Sequence, residues 1–137
     1  WIVTPEPHAP EITDTKLHDL IEAALVDSKD VEEKLFARAA AYASIPTIPV
    51  PDPEVEIFSD AATDATIIEI RTHDRPALLF SIGDVISQCN VDIRSAIVTT
   101  LGAEAIDTLY LREFGGGALA GDRVSEVANK VKAALLK

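Results

Sequence analysis

The sequence predicts an α+β fold, a four-stranded antiparallel sheet with two helices on one face in the order ββαββα, preceded by two further helices. Three observations carry that expectation. The apolar spacing changes from helical to strand-like near residue 53. Beyond that point two pairs of short alternating segments are each followed by a helical stripe. Between the regions, Ser44 to Pro53 holds four prolines in ten residues, which forbids helix and favours a stiff, extended connector.

In the first region, Thr13 or Asp14 can cap a helix whose apolar face is Leu17, Leu20, Ile21, Ala24 and Leu25. Ser28 or Asp30 starts a second helix, with Glu33 completing a possible capping box and Val31, Leu35, Phe36, Ala39 and Tyr42 as its apolar side. Trp1 to Thr4, ahead of Pro5, reads as the end of a strand. The sequence contains no methionine, so the expectation is an excised piece of a longer chain.

In the second region, Val55 to Phe58 and Ala65 to Arg71 are strands joined by the turn-rich Ser59 to Asp64. Asp74 and Pro76 suit a helix start, a capping carboxylate followed by a proline in the first turn. The buried stripe expected there is Leu78, Leu79, Ile82, Val85, Ile86 and Cys89, with Asn90 suited to the helix end. From Val91 to Thr100, Val91, Ile93, Ser95 and Ile97 alternate against Asp92, Arg94 and Ala96. Glu104 to Phe114 returns across Leu101-Gly102-Ala103 as a second hairpin. Gly115 to Gly117 links it to a last helix led by Asp122, with Val124, Val127, Ala128, Val131 and Leu135 inward.

With 137 residues there is room for one domain and an appendage, and 47% apolar residues can form a core. The longest apolar runs are far shorter than the roughly 18 residues that a bilayer span needs, and no signal peptide is evident. No membrane span and a cytoplasmic location are therefore expected. A net charge of −11 argues against nucleic acid and anionic membrane as partners, which are bound through clustered Lys and Arg. Cys89 is the only cysteine and reads as a small core residue.

Catalytic chemistry finds little support. His8, His18 and His73 lack the paired spacing of metal ligands, and Gly115 to Gly117 is not followed by the Lys of a phosphate-binding loop. Glu69, Asp92, Glu104 and Asp107 alternate with apolar residues as solvent-side positions do. No catalytic residue, metal ligand or cofactor is assigned. The strand-to-helix turn Thr72 to Leu78 is different, because a helix N-terminus offers free amides to a carboxylate. At the far end of that helix, Asn90 to Ile93 offers an amide and a carboxylate to an ammonium or carboxamide. In a side-by-side pair of domains, the first segment of one copy could face the second segment of the other.

The motifs D-R-P-x-L-L at Asp74 to Leu79, V-D-I-x-x-A-x-V-x-T at Val91 to Thr100 and A-x-D-x-x-Y at Ala105 to Tyr110 resemble the ACT domain family. Within it, residues 54–137 look like the last ACT domain of PII-modifying nucleotidyltransferases, and residues 1–50 like the closing strand and helix of a preceding ACT domain with its linker helix. The resemblance implies a ferredoxin-like fold and a cytoplasmic nitrogen sensor that binds glutamine. It further implies that the catalytic domains of a longer chain act on the PII protein. The effector-binding positions it implies are Asp74, Arg75, Ala77, Leu78, Leu79, Asn90, Val91, Asp92 and Ile93. Two departures stand out. Ala77 occupies a position where the family commonly has glycine, so its methyl narrows the effector's approach. Nothing in the chain corresponds to the family's nucleotidyltransferase or HD-type hydrolase regions. A sensor domain of another amino-acid-responsive enzyme and a ligand-free dimerisation module are the alternatives. A homodimer is expected in either case, because an open sheet face and edge invite a second copy.

Overall fold

The computed structural model describes residues 12–42, 52–58 and 64–136. The strand end expected at Trp1 to Thr4, His8, most of the prolyl connector and residues 59–63 of the first turn lie outside them. The chain divides into two compact units that meet between Ala41 and Tyr42.

The first unit contains α1, Asp14–Val26, and most of α2, Ser28–Tyr42. Thr13 caps α1, its Oγ1 accepting the Lys16 amide at 3.4 Å. The capping box expected at Asp30 and Glu33 does not form, because α2 starts earlier. Asp27 lies just ahead of α2 and accepts the Lys29 amide at 3.1 Å, while Asp30 pairs with Lys34 one turn on. No residue of α1 is buried, and Leu20, Ile21, Leu25 and Phe36 are all exposed.

The second unit is a four-stranded antiparallel sheet in the order β1-β2-β4-β3, built from β1 (Glu54–Phe58), β2 (Thr66–His73), β3 (Val91–Leu101) and β4 (Glu104–Glu113). Helix α3, Leu78–Gln88, packs on β3, and α4, Gly121–Leu135, packs on β1 and β2 and against α3. With two helices ahead of it, this is the α+β, ferredoxin-like ββαββα arrangement expected from the sequence.

Registration explains the burial. Thr66, Ile68, Ile70 and Thr72 of β2 stand opposite Leu111, Leu109, Asp107 and Ala105 of β4, and all eight are buried. Of these, Ile68, Ile70, Ala105, Leu109 and Leu111 meet Leu78, Ile82 and Ile86 of α3 and Val124, Val127, Val131 and Leu135 of α4 in one core. Each fully buried Val, Leu or Ile contributes about 1.5–3 kcal/mol of transfer free energy. Leu79 falls outside that stripe and is half exposed, since it sits in the first turn at the end of the helix.

Strand β3 breaks the simple alternation. A bulge between Ile93 and Ser95 takes Arg94 out of register, so Ala96 faces Leu109 while Ser95 faces Tyr110. Ile93 and Ile97, expected on one face, therefore lie on opposite faces. The extra residue is the physical reason, because the side-chain period of two is reset wherever one residue is inserted.

The glycines after β4 make a defined turn. Gly116 and Gly117 have φ of 93° and 88°, Gly116 donates to the Glu113 carbonyl at 2.8 Å, and the Gly117 carbonyl accepts the Glu113 amide at 3.0 Å. The chain then docks on β2 through the Leu119 amide, which donates to Thr66 Oγ1 at 3.0 Å.

Candidate functional site

Asp74 does not cap the helix after β2. Pro76 disfavours helical backbone at Arg75, so Asp74 to Ala77 forms a turn first and α3 begins at Leu78. Ala77 takes the N-cap position with φ 63° and ψ 14°, a left-handed conformation that a Cβ disfavours by about 1–2 kcal/mol. No side chain caps α3. The Leu78 amide is held by the Arg75 carbonyl at 3.2 Å, and Ser81 turns its hydroxyl back to the Ala77 carbonyl at 3.0 Å. The amides of Leu79 and Phe80, which have no intrahelical acceptor, stand at the positive end of the helix.

The turn is anchored on both sides. The Asp74 amide and His73 Nδ1 both meet the Ala103 carbonyl, each at 2.9 Å, tying the turn to the β3–β4 hairpin. Arg75 reaches across to the Ala134 carbonyl near the end of α4 at 3.4 Å. Arg123 does the reciprocal job at the other end of the helix pair, donating to the Cys89 carbonyl and pairing with Glu113 and Glu126.

The nine positions expected at the effector site fall into two groups. Asp74, Arg75, Ala77, Leu78 and Leu79 are at the start of α3, with Leu78 buried and Asp74 and Leu79 exposed. Asn90, Val91, Asp92 and Ile93 are at its far end, about 16 Å away along an 11-residue helix. Asn90 has φ 56°, the left-handed residue that ends a helix. Val91 is buried, and the Asp92 carboxylate accepts from Arg112 Nε at 2.7 Å. Within one chain the two groups do not form a single site.

Asp107 was expected on the solvent side and is instead 1% exposed in the core. Neither carboxylate oxygen has a hydrogen-bond partner. Burial pushes its pKa upward and the charge of Asp74 adds to the rise. The Thr99 backbone opposes the rise. An unsatisfied buried acceptor costs about 1–3 kcal/mol. The sequence does hold a signal for this placement, since Asp107 is in phase with Ala105, Leu109 and Leu111.

Among the described residues no three His, Cys, Asp or Glu side chains could hold a metal ion, and no helix is long and apolar enough to cross a membrane.

Fold and site together define a ferredoxin-like α+β domain with an uncapped, anchored helix N-terminus. No family model matches the chain. Over 117 residues, 85% of its length, it is 37% identical to a bifunctional uridylyltransferase/uridylyl-removing enzyme of Streptomyces coelicolor. Proteins of the same name from Caulobacter vibrioides and Azospirillum brasilense are 34% and 33% identical over 88% and 74% of the chain. The chain is thus similar to a small part of such an enzyme, spanning 14%, 12% and 11% of the length of these relatives.

Proposed function

We propose that residues 54–137 are a regulatory, non-catalytic ACT-type domain that binds an amino acid, glutamine foremost. In a longer uridylyltransferase that binding controls nucleotidylation of the PII protein by the catalytic domains. The observation that carries the reading is the uncapped start of α3, a carboxylate-binding geometry, in a chain 37% identical to part of a uridylyltransferase. On this reading residues 1–50 are the end of a preceding ACT domain and its linker helix. The protein is cytoplasmic and needs no cofactor. Two copies associate so that the start of α3 in one meets the Asn90 to Ile93 segment of the other. Affinity is weak while the chain is monomeric, because on this reading each copy supplies only one half of each site.

Titration calorimetry with glutamine, glutamate and the other amino acids tests it. Heat with glutamine and little with the others supports the reading. No binding by any amino acid, together with a concentration-dependent dimer in sedimentation, favours a ligand-free dimerisation module. The exposed edge of β3, uncharged from Ser95 to Leu101, would serve such a module.

A further inference from the structure

The sheet face turned away from α3 and α4 has a pattern of its own, set by the strand register. At one end Ile67 stands between Phe58 and Tyr110, and it is buried although it is no part of the core under the helices. Along β3 and β4 from there the face carries Thr108, Ile97, Ile106, Thr99 and Leu101, with no charge before Glu104. Ile97 and Leu101 are 57% and 69% exposed. Across β1 and β2 the same face is acidic. Glu69, Glu104 and Glu56 all act on the one guanidinium of Arg71, which bonds Glu69 at 2.9 Å, and Glu54 stands opposite Arg71 in the register. Four carboxylates thus share one cation, and Arg112 at the rim is already held by Asp92.

Whatever covers such a face must be apolar along one side and cationic along the other. A second copy of the same face would set these carboxylates against Ile and Thr side chains or against one another, and burying an unpaired carboxylate costs more than the apolar contact returns. Nucleic acid and anionic lipid meet the same repulsion. A helix with Lys or Arg flanking an apolar stripe carries no such penalty. Ser95 to Leu101 runs about 20 Å, the length of about 13 helical residues. We propose that this face docks a basic amphipathic helix of a partner protein, with the apolar stripe along β3 and β4 and the cations over Glu54, Glu56 and Glu69. The proposal stands apart from the amino-acid reading, since it uses none of the nine effector positions.

The test is an NMR titration of the full 137-residue chain with a synthetic peptide of about 14 residues, leucines on one helical face and lysines on its flanks. Amide shifts are expected at Ile97, Thr99, Leu101, Ile106 and Thr108, and a matched lysine–serine peptide should bind at least about tenfold more weakly. Glu54→Gln combined with Glu56→Gln should weaken the leucine–lysine peptide by about tenfold, and by less at high salt. Ile106→Thr, on an interior strand and outside the core under the helices, should weaken it at every salt concentration. No binding, shifts confined to α1 and α2, equal binding of the two peptides, or an affinity unchanged in either variant overturns the proposal. A dimer in sedimentation that Ile106→Thr returns to monomer gives the face to a second copy and overturns it as well. Should Ile106→Thr not fold by circular dichroism, Thr108→Lys on the same face decides, and unchanged peptide binding there overturns the proposal.

Discussion

The apolar stripe of α1, Leu17, Leu20, Ile21, Ala24 and Leu25, has the helical spacing of the stripe on α3, yet no residue of α1 is buried while Leu78, Ile82 and Ile86 are. Helix α3 hangs between β2 and β3 on short connections, so the sheet beneath it covers its stripe whatever the helix's own propensity. Helix α1 is joined through Asp27 to a second helix with its own exposed Phe36, and Leu25 is left 81% exposed. Equal periodicity has unequal consequences, because periodicity sets which face is apolar and topology sets what that face meets.

The sharpest test of that contrast is a pair of truncations. Ile86→Ala should lower the unfolding free energy by about 2–5 kcal/mol, whereas Leu25→Ala should change it by no more than about 0.5 kcal/mol. Urea titration followed by circular dichroism reads both, and a comparable loss from Leu25→Ala would show that α1 has a buried partner after all.

Asp107 provides a contrast inside the core itself. Asp107→Val removes an unsatisfied carboxyl from a strand position and should raise stability by about 1–3 kcal/mol at neutral pH. Its pH dependence has a definite sign. The folded pKa lies above the unfolded one, so the folded state holds the proton more tightly. The parent protein is then spared the penalty below the ordinary carboxylate range, and the penalty grows as pH rises through the folded value. Glu126, lowered by its hydrogen bond to Lys130, works the other way, so the stability difference between Asp107→Val and the parent is the quantity to follow. A difference independent of pH would mean that Asp107 is not the titrating group.

A smaller effect is expected at the start of α3. Ala77→Gly relieves the left-handed penalty of about 1–2 kcal/mol but adds chain entropy to the unfolded state. The net gain in thermal unfolding experiments should be about 0.5–1 kcal/mol. If the Ala77 methyl also narrows the effector site, the same change strengthens glutamine binding. Smallest of all, Lys34→Ala on α2 removes an exposed pair with Asp30 and should cost about 0.3–0.5 kcal/mol, less at high salt.

Local rules made much of this molecule legible from its residues alone. The caps at Thr13 and Asn90, the two hairpins and the ββαββα order follow from turn chemistry and apolar period, which act over a few residues. What escaped them depends on contacts distant in sequence. The bulge at Arg94 shows only in the pairing of β3 with β4, and it moved Ile97 to the face opposite Ile93. The burial of Asp107 depends on which phase of β4 meets the helices, and Ala105, Leu109 and Leu111 outweigh one carboxylate in setting that phase. The effector positions and their places at the two ends of α3 were legible from the motif and the helical stripe, but the exposure of Leu79, expected in the buried stripe, is a property of the folded chain. Spacing along the sequence limits the neighbours a residue can have, and packing selects among them.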